Sequence, residues 1–346
     1  MQGLAARPRA AAARRPGAGQ RVRLRRRERI GGPGGGVVTA TAVITGIGVV
    51  VPPPDAGGDW FDPRTALGPR GYRYLPPACQ FLLAAGRRAV ADGGRLDGVP
   101  EERRAAVVGT NTGLAHLFAD MDATVTSGTA DALSPALAPF FAVNVLGTRL
   151  VSEHAVKGPF MTVTSPRVAG IEALGAGARA MAAGRCDAWI AAAMEHPLDG
   201  PAGSGAVAMI LERPADAAAR DAHVYGTCAA SALLAPPSTL ATAGGRRRLG
   251  EVLGSVLGDA AYQEVDVFGD GSATEEAVVS ALTDLPVGAV RRAPAGPGCL
   301  APLERLARLL TEAGSARERL VLAVAGEGHI GVARLAISEP TARGAG

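Results

Sequence analysis

Short apolar runs alternate with helical patterns from residue 41 to residue 337, and this alternation constrains the fold more than any other feature. The run TAVITGIGVV at 41–50 is typical of a buried strand, whereas CQFLLAAGRRAVADG at 79–93 has apolar residues at helical spacing and a final glycine. We predict further strands at 104–109, 159–164, 187–193, 205–211, 223–233, 264–268, 319–325 and 331–337, and helices at 114–123, 170–183, 249–261, 274–282 and 300–313. Strands and helices that alternate in this way predict a layered α/β fold.

The pattern passes through two similar cycles, and the second begins near residue 213. We therefore expect an N-terminal half at 37–212 and a shorter C-terminal half at 213–346. The chain has 346 residues, of which 47% are hydrophobic, so it can bury a large core.

Residues 1–36 form a tail of different composition, rich in Arg, Ala, Gly and Pro. Ten arginines against one acid, Glu28, give it a net charge of +9, which leaves −5 for the other residues because the whole chain carries +4. Few large apolar side chains are present to offset the entropy of ordering, so we expect a disordered tail. A basic arm for nucleic acid or an anionic membrane is one interpretation. An unstructured extension or an incorrectly chosen start codon is the other, and the absence of aromatic residues favours it.

The four cysteines lie far apart, which favours neither a zinc site nor a disulfide framework. No apolar run approaches the roughly 20 residues of a membrane-spanning helix. We therefore expect a cytoplasmic protein that uses no metal and binds neither membrane nor nucleic acid.

Five segments, taken in order, resemble the β-ketoacyl synthase family. They are TGIGVV at 45–50, VVGTNTG at 107–113, GPFMTV at 158–163, GIEALGAGARAMAAGRCDAWIAAAME at 170–195 and GSGAVAMILE at 203–212. This resemblance implies a thiolase-like αβαβα layered fold of two similar halves, each contributing to a dimer. The chain is shorter than a typical member, and the missing material lies before Gly203 and before Arg319.

Members of the family condense acyl chains with a cysteine and two histidines, and the resemblance places other residues at these positions. Arg167 in VTSPRVAG stands at the cysteine, Phe268 in FGDG at the first histidine, and Pro297 at the second. A guanidinium stays protonated and cannot act as an acyl nucleophile. We therefore expect no catalytic residue of the ordinary kind, and we expect Arg167 to pair with an acid, with Glu172 and Glu195 as candidates, or with a carbonyl.

One branch of the family, the chain-length factors of type II polyketide synthases, also lacks these groups. The segment SPRVAGIE at 165–172 follows the outline of that branch, except that Arg167 replaces its glutamine. In chain-length factors the helix matching 114–123 lines the channel for the growing chain. Channel-lining residues are thus predicted at Leu114, Leu117 and Met121, although a plain core stripe would show the same spacing.

The resemblance implies a non-catalytic subunit that forms a heterodimer with an active ketosynthase and shapes its acyl channel in polyketide, polyene or fatty-acyl elongation. It needs no cofactor of its own, because the acyl carrier protein brings the chain on phosphopantetheine. Two alternatives stay open. One is an acyltransferase that uses Ser165 or His329 on the same fold, although a lone histidine in a glycine loop is more often structural. The other is a homodimeric acyl-binding scaffold.

Overall fold

The computed structural model describes residues 42–338 apart from 70, 73, 94–95 and 313–317, so the expected tail at 1–36 lies outside the described residues. The described strands are β1 (Ala42–Val50), β2 (Arg104–Gly109), β3 (Phe160–Val163), β4 (Ala188–Glu195), β5 (Gly205–Glu212), β6 (Gly226–Leu234), β7 (Tyr262–Gly269), β8 (Val287–Pro294), β9 (Glu318–Val324) and β10 (His329–Ile337). The helices are α1 (Pro63–Leu67), α2 (Pro77–Asp92), α3 (Ala115–Ser127), α4 (Val145–Glu153), α5 (Ala169–Ala182), α6 (Pro214–Ala219), α7 (Pro237–Leu240), α8 (Ala243–Leu257), α9 (Ala273–Thr283) and α10 (Leu300–Thr311).

These strands form one sheet in the order β3-β2-β4-β5-β1-β6-β10-β9-β7-β8. Each half repeats the same plan: β2 pairs parallel with β3 and β4 as β7 does with β8 and β9, and β5 pairs antiparallel with β4 and β1 as β10 does with β9 and β6. The two similar halves are therefore confirmed. The boundary between residues 212 and 213 stays a prediction.

Three helical layers cover the two halves of the sheet. Helices α2 and α4 pack on the outer face of the first half, and α8 and α9 pack on that of the second. Helices α5 and α10 lie between the halves, because α5 contacts β2 and β4 as well as β6 and β10, and α10 contacts β4, β5 and β9. The αβαβα layering is confirmed.

Two glycines let the outer helix of the first half approach the sheet. A Cβ atom on Gly48 would lie 2.0 Å from the Ala85 carbonyl oxygen, and one on Gly46 would lie 2.2 Å from that of Ala89. The Gly-x-Gly of β1 is thus explained by close packing against α2.

Several elements differ from the sequence prediction, which gave no helix at α1, α4, α6 or α7. Strand β8 was not predicted, because its VGAVRRAP sequence is mostly exposed at the edge of the sheet and lacks a buried face. Helix α8 begins at Ala243 rather than at residue 249, because the hydroxyl of Thr242 accepts a hydrogen bond from Gly245 N–H and so caps a first turn rich in arginine.

Candidate functional site

The turn between β3 and α5 holds Arg167 in a backbone conformation unusual for a residue with a side chain. Its φ is +61°. The N–H of Arg167 donates to Asn111 Oδ1 at 3.0 Å, and Asn111 Nδ2 donates to the Thr164 carbonyl at 3.0 Å. Asn111 therefore clamps this turn from the loop that follows β2.

The guanidinium of Arg167 reaches across to the second half. Its Nε lies 3.3 Å from Asp270 Oδ2, and its Nη1 donates to the Gly296 carbonyl. Asp270 follows β7 and Gly296 follows β8, and the Gly326 N–H after β9 donates to Asp270 Oδ2 at 2.9 Å. The carboxyl ends of three parallel strands thus converge on Arg167.

The electrostatics of this junction favour the ion pair. Burial alone would raise the pKa of Asp270, but hydrogen bonds from Ser272 and Gly326 and the charge of Arg167 outweigh it and hold that pKa below its ordinary value. The side chains of Arg167 and Asp270 are 28% and 18% exposed, so solvent screens the pair only in part.

Neither acid expected to partner Arg167 does so. Glu172 accepts a hydrogen bond from the Ser165 hydroxyl. Glu195 is fully buried at the end of β4, where its carboxylate accepts from the N–H groups of Asn111 (2.8 Å) and Cys299 (2.8 Å) and from Thr112 Oγ1 (2.8 Å). Arg167 does pair with an acid and a carbonyl, as expected, but both named candidates were wrong, because Asp270 comes close to Arg167 only through the tertiary fold.

Glu195 connects the loop after β2 to the start of α10, and sequence reasoning missed this role. A Cβ atom on Gly298 would lie 2.4 Å from the Glu195 carboxyl carbon, so the connection also requires glycine at that position. The sequence signal that could have indicated this role is the acidic residue at the end of the apolar run AWIAAAME.

All four cysteines are buried and unpaired. Burial raises the pKa of Cys79 and of Cys228 to about 12 and also raises that of Cys186. Burial, together with the nearby Glu195 carboxylate, raises the pKa of Cys299 well above its usual range. A nucleophilic cysteine must be a thiolate, so none of them is suited to take up an acyl group at neutral pH.

The residues predicted at the two histidine positions lie on the same side of the sheet as Arg167. Phe268 is 9% exposed in the central core, two residues before Asp270, and Pro297 follows Gly296 and lies near Gly203. Neither side chain carries a hydrogen-bond donor, so neither can stabilise negative charge on a substrate.

Helix α3 carries Leu117 and Met121, and Leu114 immediately precedes it; these predicted channel residues occupy two environments. Leu114 and Met121 are each 7% exposed. Leu117 is half-buried and lines a cavity of about 330 Å³ between α3 and the segment that follows it. His116 and His196 line the same cavity, with their rings stacked at 4.1 Å between centroids. Sequence reasoning did not pair these histidines, because 80 positions separate them.

The two alternative catalytic residues have separate surroundings. Ser165 donates its hydroxyl to the Glu172 carboxylate and, among the described residues, hydrogen-bonds to no histidine, and His329 begins strand β10, where it pairs in register with Leu234. Within the same residues, no three His, Cys, Asp or Glu side chains are arranged to hold a metal ion.

No single helix in the described part of the chain is long and apolar enough to span a membrane. One pair, Pro135–Phe141 with Val145–Glu153, passes by length and composition together but is bent by 89°.

Comparison with known proteins identifies the class. The family model described as "Beta-ketoacyl synthase, N-terminal domain" matches residues 56–238, and the chain belongs to the β-ketoacyl synthase family. No curated protein matches it.

Several solved structures share its fold. A chain of AntDE:AntF, a type II polyketide synthase acyl carrier protein in complex with its ketosynthase, aligns with a TM-score of 0.68 at 15% identity over 87% of this chain and 100% of that one. The ishigamide ketosynthase/chain length factor aligns with a TM-score of 0.65 at 20% identity over 86% and 100%. A β-ketoacyl synthase from Burkholderia phymatum gives 0.63 at 14% over 87% and 100%.

Proposed function

We propose that this chain is a non-catalytic subunit of the chain-length-factor type. It pairs with an active ketosynthase and shapes that enzyme's acyl channel while a polyketide, polyene or fatty-acyl chain grows on an acyl carrier protein. The observation that carries the proposal is Arg167, which the resemblance puts at the family's cysteine position and whose guanidinium contacts Asp270 and Gly296 in the strand-to-helix turn before α5.

An arginine in this turn cannot act as the nucleophile that takes up the acyl chain, because its side chain does not lose its proton near neutral pH. Phe268 and Pro297 supply no donor for the carboxylate or for the enolate oxygen. The phosphopantetheine chain would therefore react at the partner's site. The free, buried cysteines fit a reducing compartment, so the cytoplasm is the proposed location.

Support for pairing comes from an uncharged surface beside β3. No charged residue occurs at 132–148, yet Phe141 is 62% exposed, and its ring lies 6.3 Å from that of Phe118, which is 43% exposed. Gly147 of α4 packs on the ring of Phe160, so this segment adjoins β3. Exposed apolar surface of this kind is typical of an interface.

The proposed channel residues Leu114, Leu117 and Met121 provide a test within the reconstituted pair. Leu117→Ala removes a side chain that lines the cavity, so we expect longer products, measured by mass spectrometry of the released chains. Leu150→Ala is the matched control: Leu150 lies in the same core cluster but on α4, away from the cavity, and we expect a stability loss of about 2–4 kcal/mol with unchanged product length. Identical products from wild type and Leu117→Ala would count against a channel at α3.

The predicted lack of condensation activity is tested with this chain alone, without the ketosynthase. We expect Arg167→Cys to give no decarboxylative condensation from acyl and malonyl carrier proteins, because the donors at Phe268 and Pro297 are still missing. Condensation by this single variant would show that the assignment of the site is wrong.

A further inference from the structure

Met161 differs from the other described methionines in its exposure to solvent. It is 45% exposed on the edge strand β3. In the described part of the chain the other methionines are between 0% and 7% exposed; they are Met121, Met181, Met194 and Met209. An oxidant has to reach the sulfur before it can convert a methionine to its sulfoxide. Oxidation of the folded chain is therefore expected to be selective for Met161.

The exposure of Met161 follows from what packs beside it. Met161 pairs in register with Val107 and lies two residues from Val163, so it shares a face of the sheet with both valines. On that face Ala173 and Ala176 of α5 pack against Val107 and Val163. These short side chains leave Met161 partly uncovered, so its thioether is open to solvent at the edge of the sheet.

The surroundings of Met161 are uncharged and apolar. No Asp, Glu, Lys or Arg occurs at 158–166. A partner strand beside β3 would bring its own side chains against those of β3. The thioether of Met161 would then be buried in an apolar contact, which its flexible side chain can fit.

We propose that Met161 is a site of reversible oxidation by hydroperoxides, and that its sulfoxide weakens the pairing of this chain with the ketosynthase. The first part stands on the exposure of Met161 alone. The second part rests on the proposed function, because it takes β3 to be covered by the ketosynthase.

The oxidation is a two-electron oxygen transfer. The Met161 sulfur donates a lone pair to the outer oxygen of ROOH, and an S–O bond forms as the O–O bond breaks. The proton of the transferred oxygen passes to the RO group, which leaves as ROH, or as water when the oxidant is hydrogen peroxide. A methionine sulfoxide reductase restores the thioether: the oxygen leaves as water, and two thiols are oxidised to a disulfide.

The sulfoxide disfavours the paired state. Its S–O oxygen is strongly polar and is solvated by water in the free chain. A partner strand would remove that water, and the uncharged surroundings at 158–166 supply no charged group in its place. Burial of a polar group without a new hydrogen bond costs enough free energy to raise the dissociation constant by about tenfold.

The first test uses the full chain alone. It is treated with hydrogen peroxide, and the sulfoxide content of each methionine-containing peptide is followed by mass spectrometry after digestion. We expect Met161 to react about tenfold faster than the four buried methionines, which react only when the fold opens locally. In urea the rates should converge, because the fold no longer covers any sulfur. A rate for Met161 within about twofold of that for Met121 in the folded chain would overturn the oxidation site.

The second test measures pairing. The chain is oxidised alone, the peroxide is removed with catalase, and the ketosynthase is then added. We expect the dissociation constant to rise by about tenfold. Met161→Gln, which carries a polar side chain of similar length, should raise it by a similar factor, whereas Met161→Leu should bind like wild type before and after peroxide.

The preformed complex provides the matching measurement. Within it, the partner strand should slow the oxidation of Met161 by about tenfold. Undiminished affinity of the oxidised chain, or equal oxidation rates of Met161 in the complex and in the free chain, would overturn the effect on pairing. If no complex forms, the proposed function fails and the effect on pairing fails with it, while the rates in the free chain still decide the oxidation site.

Discussion

The two edge strands of the sheet occupy matching places in the two halves and have opposite chemistry. Strand β3 pairs with β2 as β8 pairs with β7. In β8, Arg291 bonds Asp266 and Glu264, and Arg292 bonds Glu275 and Glu276. Strand β3 reads FMTV, with no charge and with Met161 45% exposed.

Their outward backbone groups differ as well. The carbonyls of Pro159 and Val163 accept hydrogen bonds from β2, so in this parallel ladder Phe160 and Thr162 direct their N–H groups away from the sheet. On β8 the Ala295 N–H bonds to β7, so the outward positions include Val290 and Pro294, and Pro294 has no N–H to offer. Charge and proline protect an edge from pairing. The second half is protected, and the first half is open to a partner strand.

The largest effect is expected from removing an outward N–H on β3. Thr162→Pro deletes a donor that faces the proposed partner and spares the bonds to β2. We expect the dissociation constant of the ketosynthase complex to rise by about 100-fold, or roughly 3 kcal/mol, measured by surface plasmon resonance.

The matched control for this change is Val290→Pro, which removes an outward N–H from β8. We expect it to leave the affinity within about threefold of wild type, since the protected edge has no partner strand. Similar losses of affinity in Thr162→Pro and Val290→Pro would show that the β3 edge is no more important for the complex than the β8 edge.

A smaller effect is expected at the uncharged surface next to β3. Phe141→Asp places a charge in the proposed interface and should weaken the complex by about tenfold in the same assay. Leu234→Asp is the control, because Leu234 is just as exposed, at 65%, but belongs to the second half. An equal loss of affinity for Leu234→Asp would show that the surface near β3 contributes no more to the complex than the surface around Leu234.

The smallest effect is expected where the halves meet. Arg167→Met removes the ion pair with Asp270 and should lower the free energy of unfolding by about 1–2 kcal/mol, or a few degrees in Tm. Arg179→Met, an exposed arginine on α5, should change little.

The ion pair also predicts a pH dependence. Because the folded pKa of Asp270 is depressed, its stabilising contribution is complete above the ordinary carboxyl pKa and is lost as the pH falls through the folded value. The Tm difference between wild type and Arg167→Met should therefore be constant from about pH 5 to 7 and shrink below about pH 4. A difference that grows in acid would mean that another group holds the halves together.

Most of the fold could be predicted because buried strands have continuous apolar sequences that are easy to recognise. The first-half strands β2 and β4 are apolar along their length, and their predicted positions were within two residues of the observed ones. Strand β8 was missed because an exposed, protected edge has no apolar pattern to find.

The site was less predictable because its contacts join distant parts of the chain. Arg167 meets Asp270 across 103 positions and Gly296 across 129. The family resemblance predicts which residues stand at the catalytic positions. No local pattern could tell which acid would neutralise Arg167, because strand order and loop closure decide this.

Native mass spectrometry of the two proteins purified after co-expression tests whether this chain works as the partner of an active ketosynthase. We expect a one-to-one complex, and we expect poor solubility or self-association when this chain is made alone, because the β3 edge and the surface around Phe141 are then uncovered. A stable, soluble monomer that forms no complex with the ketosynthase would contradict this pairing. A stable homodimer that ignores the ketosynthase would contradict it too and would favour the acyl-binding scaffold.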